Sequence, residues 1–521
     1  MPTVIGPLVK SRAATLDEIK RIIDDYRIVA SLCKVAGFDA IEIRAYGGYF
    51  TDQFMTAAWN KRQDEYGGNL DGRLKILMDM IEAVKQGAGE DYPLIVKISP
   101  RHYFDGGRSI EEGIEIAKRL EAAGVDAIHV EKGSYENWWD VIPPAHIPFA
   151  NQLDISQAVK NAIKIPVMAH GKLGIKPELA ESALKEGKTD FVGLGRTLLA
   201  DPEWPNKVKE GRLQDIRPCI GCQMGCLNRI FNDKYVSCAV NPQTGNERER
   251  RLTPAEKRKR VMVVGGGPGG MEAALVASTR GHDVTLYEKA LELGGALLPG
   301  GMMHFKKQIE MLRKYYVLQL AKSGVKVKCG QEVNADFIVA EKPDVVILAS
   351  GAKPRIPQEI HGIKSPYVYT VEQVLLEQCN ISSLGPEVII AGGGELGCEM
   401  AVYLAEKSPN LDITIVEMLE DIAAGAFVNI KWYLERKINE LGIKVKLNSK
   451  ILQISNKNVT LENGTSLAAD SVILALGYES DHELADSLKG KGIELHVIGD
   501  CVKPRKIIDA VWEGFEAARI I

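Results

Sequence analysis

Long apolar runs are missing from this 521-residue chain, in which no window approaches the roughly 18 apolar side chains that a membrane-crossing helix requires. The first residues, "MPTVIGPLVKSR", lack the apolar core of a signal peptide, so a cytoplasmic protein is expected. A basic excess is missing too: 65 Lys and Arg face 69 Asp and Glu, a formal net charge of -4. Neither a nucleic-acid partner nor a membrane partner is expected on that balance. Cysteine is sparse, at nine residues, and five of them (Cys33, Cys329, Cys379, Cys398, Cys501) are scattered singly in apolar or helix-like surroundings. That excludes a disulfide-scaffolded secreted fold and suits a reducing compartment.

What the chain does have is glycine, 50 residues, many just after β-rich runs, which points to an α/β protein with ligand-binding turns. A capping box, Thr15 to Glu18, opens an amphipathic helix, and "DAIEIRA" follows as a strand. The alternation then repeats: helix 73–87, "PLIVKIS", helix 110–123, "VDAIHVE", helix 155–163, "IPVMAHG", helix 177–186, "TDFVGLG". Short apolar strands between amphipathic helices imply parallel β/α units, in either a doubly wound sheet or a (β/α)8 barrel. Five strands are visible, whereas a closed barrel needs eight.

The charged stretch "QTGNERERRLTPAEKRKR" reads as a solvated linker. Beyond it, Gly265, Gly267 and Gly270 form G-x-G-x-x-G between a strand and a helix, and Glu288 ends the next strand. Such glycines let the backbone approach a pyrophosphate at a helix N-terminus, and the acid binds a ribose hydroxyl. Gly392, Gly394 and Gly397 with Glu417 repeat the whole arrangement, which makes it far more specific than one glycine motif. After Glu417 comes "MLEDIAAG", without Arg or Lys for a 2′-phosphate, which favours NADH over NADPH. "DVVILASGAKPRIP" and "ELHVIGDCVKP", the latter with Gly499 and Asp500, bracket the second unit. The bracketing resembles the glutathione reductase-like plan, an NAD domain inserted into an FAD domain, in which the acid matching Asp500 contacts the flavin. In the first half, Gly171 and Lys172 follow the penultimate strand and Gly195 and Arg196 the last, where (β/α)8 barrels bind phosphate. Cys219, Cys222, Cys226 and Cys238 are spaced C-x2-C-x3-C-x11-C, and spacing alone leaves zinc, disulfides and an iron–sulfur cluster open.

"YFTDQFMTAAWNKRQDEYGGNLDGR", "GLGRTLLADPEW", "RPCIGC…GC…CAVNP" and the two nucleotide units, in this order, resemble the multi-domain Old Yellow Enzyme-like NADH:flavin oxidoreductases. This group includes 2,4-dienoyl-CoA reductase, 2-enoate reductase and trimethylamine dehydrogenase. The resemblance runs from about residue 5 to the C-terminus. It implies FMN in the barrel, a [4Fe-4S] cluster on the four cysteines, and FAD with NADH beyond. Hydride passes from NADH to FAD, single electrons cross the cluster, and FMN N5 delivers hydride to a C=C bond conjugated to a carbonyl. Within this plan the cluster displaces the zinc and disulfide readings, since redox-inert zinc would be idle between two flavins.

By the same resemblance Tyr49 donates the proton to the substrate. The carbonyl-binding residues of the family match Arg44 and Gly47, so the usual anchor is absent and Arg44 is the candidate clamp. A flavin-facing family Arg matches Lys97, and His146 lies near a place where some relatives carry a histidine. Relatives have three further β/α units ahead of residue 5, so the FMN site is expected to be incomplete in this chain. A five-strand remnant is expected to expose strand edges and an apolar interior. Either the sequence is a fragment or mis-started reading frame, or a separate polypeptide completes the barrel; a homo-oligomer or that second chain is the expected partner, beside a small unsaturated substrate.

The expected domains are part of an FMN-type barrel (1–212), an iron–sulfur segment and linker (213–255) and a first FAD segment (256–375). An NAD(P)H domain (376–480) and an FAD return (481–521) follow. NADH oxidase, amine dehydrogenase and electron-transfer subunit are the alternatives to an ene-reductase. The amine reading calls for an aromatic cage, and Tyr135, Trp138 and Trp139 are too few to make one.

Overall fold

The computed structural model describes residues 2–3, 6–10, 12–455 and 457–521. The chain forms two compact units, Met1–Pro143 with Ile147–Thr197, and Pro144–His146 with Leu198–Ile521.

In the first unit, helix α1 (Leu16–Val35) starts at the expected capping box: the Glu18 amide donates to Thr15 Oγ1 and the Thr15 amide donates back to Glu18 Oε2 at 2.8 Å. Five parallel strands follow, β1 (Ile41–Ala45), β2 (Leu94–Ile98), β3 (Ala127–Val130), β4 (Val167–Ala169) and β5 (Phe191–Val192). They pair in chain order, β1-β2-β3-β4-β5. A doubly wound sheet reverses direction at its first strand, so this monotonic order is that of a barrel wall and removes one of the two expected topologies. Among the described residues β1 and β5 are the edges of the sheet.

One face of this sheet is apolar: Ile43, Ala45, Leu94, Val96, Ile98, Ile128 and Val130 are buried against Leu77, Met80, Ile116 and Leu120 of the helices Leu70–Ala88 and Ile110–Ala122. The opposite face departs from expectation. In register across the sheet stand Arg44, Lys97, His129 and Met168, with Glu42 one pleat below. The interior is charged rather than apolar because these side chains carry partners of their own, described below.

The second unit contains two nucleotide-type sheets. The first runs, strand by strand, Lys326–Cys329, Asp283–Glu288, Arg260–Val264, Val345–Leu348 and Glu494–Val497, all parallel. The second runs Val368–Thr370, Ser471–Leu474, Glu387–Ala391, Asp412–Val416 and Lys444–Lys446. Each reverses beside its first long strand, which creates a switch point, and each glycine-rich loop follows that strand. Val368–Thr370 joins the second sheet ahead of the residue-376 boundary expected from sequence, because a three-residue strand carries too little periodicity to announce itself. No described helix is long and apolar enough to cross a membrane.

Candidate functional site

In the first unit the functional side chains gather around Tyr49. "AYGGY" leaves β1 through Gly47 and Gly48, at φ +68° and +85°, and turns into the short helix Phe50–Met55 with Tyr49 at its N-cap. Only glycine takes two such consecutive angles without strain. The turn is held from below. Gly48 N–H donates to Asp52 Oδ2 at 2.9 Å, and Asp52 is fully buried against Arg108 (2.9 Å) and His102 (3.1 Å). Burial would push the Asp52 carboxyl up, but Arg108 and His102 outweigh it and hold it below the usual carboxylate range. Gly47 N–H donates to Ser99 Oγ, and Ser99 Oγ–H donates to the carbonyl of Gly133, so one buried serine ties the loops after β1 and β3 together.

That tie brings Tyr135 to Tyr49, with ring centroids 5.2 Å apart in an edge-on contact. The Arg44 guanidinium lies 3.6 Å from the Tyr49 ring centroid, a cation–π geometry worth roughly 0.5–2 kcal/mol depending on exposure. Arg44 and Tyr49, both expected from sequence, are therefore brought together. Tyr135, Ser99, Asp52, His102 and Arg108 were missed as members of this site. "RHYFDGGR", with two cations and paired glycines after β2, is the one signal that pointed to the Asp52 partners.

Lys97 sits beside this group, 4.4 Å from the Tyr46 ring centroid. Its Nζ pairs with Glu131 at 3.0 Å and approaches His170 Nε2 at 3.3 Å. His170 in turn meets Glu131 at 2.9 Å, and His129 meets Glu42 at 2.8 Å. Burial would raise the Glu131 carboxyl, yet His170 and Lys97 bring it down to about 2. Gly171 and Lys172 follow β4 with φ +85° and +66°, and Lys172 Nζ donates to the carbonyl of Ile147. The loops after β4 and β5 abut, since a Cβ on Gly174 would lie 2.7 Å from Thr197 Oγ1. Gly195 faces open space, and Arg196 Nη1 is buried without a hydrogen-bond partner. An unsatisfied guanidinium nitrogen beside an open glycine fits a phosphate oxygen.

His146 lies in the second unit, its ring between Phe305 and Tyr433 and its Nε2 2.9 Å from Glu399, which also pairs with Lys306.

The two glycine loops of the second unit are near copies. Gly265 and Gly392 have φ +105° and +102°, and a Cβ on either would strike a carbonyl oxygen of the neighbouring strand end, Ala349 at 2.3 Å or Ala475 at 2.5 Å. Gly267 and Gly394 face open space at the N-caps of Pro268–Thr279 and Glu395–Lys407. Gly270 and Gly397 press their helices onto the loops, where a Cβ would come within 1.9 Å of the Gly265 or Gly392 carbonyl. Glu288 and Glu417 each accept from the middle glycine amide, Gly266 or Gly393, at 2.6 Å. A cavity of about 760 Å³ opens beside the first loop, bordered by Gly265, Glu288, Lys289, Ser350 and Asp481. Both loops fit a dinucleotide. Gly499, at φ +69°, presents Asp500, whose carboxylate accepts from the Arg505 amide at 3.0 Å and is raised by its own burial.

Among the described residues no cysteine is joined in a disulfide, so the disulfide reading is not realised. Cys219, Cys222, Cys226 and Cys238 are partly buried and close enough to perturb one another. Burial first, then the neighbouring sulfurs, pushes the Cys222 thiol up, and the Cys238 thiol up to about 12. Gly225 permits the loops to meet, since a Cβ there would lie 2.5 Å from the Ala239 nitrogen. Among the described residues no three His, Cys, Asp or Glu side chains converge on a single ion. Four spaced thiols that do not converge on one ion suit a multi-iron cluster better than zinc.

Comparison with known proteins agrees with this division. The NADH:flavin oxidoreductase / NADH oxidase family matches residues 5–215, and the pyridine nucleotide-disulphide oxidoreductase family matches residues 259–514. The chain is 39% identical over 516 residues to the NADH oxidase of Thermoanaerobacter brockii, covering 97% of this chain and 78% of that protein. It is 38% identical over 536 residues to the cinnamate reductase of Clostridium sporogenes, covering 99% and 79%. The solved structure of a 2-naphthoyl-CoA reductase with 2-naphthoyl-CoA superposes with a TM-score of 0.92 at 33% identity, covering 100% of this chain and 79% of that one. The chain is thus an oxidoreductase, with FMN chemistry attached to its first half and FAD and NAD(P)H chemistry to its second. It belongs to the multi-domain, Old Yellow Enzyme-like NADH:flavin oxidoreductase family.

Proposed function

We propose that the protein uses NADH to reduce a C=C bond conjugated to a carbonyl. The observation that carries this reading is a tyrosine, Tyr49, presented on a rigid glycine turn with the Arg44 guanidinium against its ring. A proton donor next to a cation is what an enolate-like transition state needs: the cation offsets charge on the carbonyl oxygen, and the phenol supplies the proton. Arg44 has no carboxylate partner among the described residues, so it is available to a substrate oxygen and repels an alkylammonium substrate. That argues against the amine dehydrogenase reading. The similarity to a cinnamate reductase and a 2-naphthoyl-CoA reductase points the same way.

In this proposal Gly171, Gly195 and Arg196 hold the FMN phosphate, with Lys97 and its partners in the first unit beside them. Gly265, Gly267, Gly270, Glu288, Gly499 and Asp500 hold FAD; Gly392, Gly394, Gly397 and Glu417 hold NADH; and the four cysteines hold a [4Fe-4S] cluster. When bound, the flavins supply hydride exchange and the cluster single-electron transfer. The domain limits proposed are 1–212, 213–255, 256–375 with 481–521, and 376–480, the last extended to take in Val368–Thr370.

The test is anaerobic purification, separate assay of FMN, FAD and iron per chain, and NADH-driven reduction of a panel of enoates, enones and aryl-CoA thioesters. Tyr49→Phe is expected to lower alkene reduction by about 10²-fold or more while leaving NADH–dye electron transfer unchanged. Equal loss of both activities would contradict the assigned role.

A further inference from the structure

The last helix of the second unit, Ile507–Ile520, follows Gly499 and Asp500 in the chain. It packs on the helix Pro268–Thr279, where Phe515 and Ala518 share a buried core with Ala273 and Ala277. The two backbones touch, since a Cβ on Gly514 would lie 2.2 Å from the Gly269 carbonyl oxygen. The helix is therefore fixed against the first glycine loop.

Trp512 is half-buried on this helix. An indole has one donor and no acceptor, and Trp512 Nε1–H donates to the backbone carbonyl of Cys238 at 2.9 Å. Its ring also carries two guanidiniums, Arg229 at 5.2 Å and Arg250 at 4.5 Å from the centroid. Both come from the segment that holds the four cysteines. Arg229 is three residues beyond Cys226, on the short helix Leu227–Ile230, and donates to the Tyr235 carbonyl at 3.0 Å. Arg250 pairs with Glu516, one turn beyond Trp512, at 2.8 Å, and donates to the Pro242 carbonyl at 2.7 Å. Arg250 belongs to the charged stretch read above as a linker, and these contacts strap that stretch to the helix.

We propose that Trp512 is a positioning residue for the iron–sulfur cluster: its N–H fixes the Cys238 backbone, and its ring keeps two cations beside the cysteine-bearing loops. The proposal rests on the cluster reading and deepens it. Cys238 is the remote member of the set, eleven residues beyond Cys226, and a loop of that length does not fix its own last residue. Here it is held on both sides. The Ser237 amide donates to the Gly225 carbonyl at 2.9 Å just before Cys238, and Trp512 takes the Cys238 carbonyl just after it. Pinning the backbone there sets the Cα from which the thiol projects, as outer partners do for metal ligands generally.

Charge is the second contribution. Arg250 is offset by Glu516, but among the described residues Arg229 meets no carboxylate, so one net positive charge is kept on the ring. Positive charge and donor dipoles favour a cluster in its more negative state, which raises its reduction potential.

The experiment uses the full chain, purified anaerobically with its cofactors. Trp512→Phe keeps an aromatic face for both guanidiniums and removes the N–H. Iron release to the ferrous chelator bathophenanthroline is expected to be about tenfold faster than in the parent. The midpoint potential of the cluster, read by EPR during a redox titration, is expected to fall, with FAD per chain at the parent value. Unchanged iron release and an unchanged potential in Trp512→Phe overturn the proposal. Faster release accompanied by loss of FAD overturns it as well, since Trp512 would then only hold the fold. A parent protein that carries no iron and takes up none on anaerobic reconstitution refutes the cluster reading itself. An iron-replete parent with an unaltered Trp512→Phe refutes the role of Trp512 alone.

Discussion

A single methyl group at Gly397 would stand 1.9 Å from the Gly392 carbonyl oxygen, and nothing flexible is there to yield. Gly397→Ala must therefore lift the helix Glu395–Lys407 off its loop and spoil the pyrophosphate cradle. The expected result is a rise of at least tenfold in KM for NADH with FAD content unchanged, measured by steady-state NADH–dye kinetics and flavin release; an unaltered KM would remove Gly397 from the nucleotide site. Glu131 makes a different demand on its surroundings. Its folded-state carboxyl titrates at about 2, whereas an unfolded glutamate titrates at about 4.3. A depressed carboxylate contributes stability above the unfolded value, and that contribution is lost as pH falls through the folded one. Glu131→Gln leaves Lys97 and His170 without their anion. It should cost about 3–5 kcal/mol near neutral pH and much less in acid. Calorimetric melting of both proteins across that window measures the difference; parallel melting curves would show that the Lys97–Glu131–His170 cluster is not stabilising.

The helix Phe50–Met55 is only six residues long, too short to be stable from its own hydrogen bonds. What fixes it is Asp52, with no exposed side-chain surface, between Arg108, His102 and the Gly48 amide. Asp52→Asn keeps the shape but removes the charge that Arg108 faces. The Tyr49 turn should loosen, with alkene reduction falling by roughly tenfold or more while NADH–dye transfer persists. Retained alkene reduction with normal FMN content would show that the turn holds without the ion pair. The same short helix shows what the sequence could and could not disclose. The two glycine loops were legible because each constraint is local: strand, three glycines, helix and terminal acid lie within about one β-α-β unit. Order of the first five strands followed from alternation, and the chain-order pairing then selected barrel winding. Tyr135 was not legible, because its meeting with Tyr49 depends on Ser99 bridging two loops that are remote in sequence. The charged interior face was missed for the same reason, since Lys97, Glu131 and His170 come from three successive strand ends and only register brings them together.

At the scale of the whole molecule, two units carry separable chemistry, and the cluster proposed on the four cysteines supplies the one-electron step between the two flavin reactions. The cysteines belong to the second unit, on loops that meet closely at Gly225. Burial pushes the Cys222 and Cys238 thiols up, so deprotonating them is costly unless metal charge compensates. Cys222→Ser removes one of the four proposed cluster ligands. Iron per chain should fall by at least half, and NADH-driven alkene reduction should drop more than about tenfold. NADH–dye transfer in the second unit should continue at the parent rate, and alkene reduction driven by a chemical reductant supplied directly to the first unit should survive. That pattern, iron and coupling lost together with both half-reactions kept, distinguishes a missing conductor from a misfolded segment. Full iron content with undiminished NADH-driven reduction would show instead that Cys222 is not a ligand.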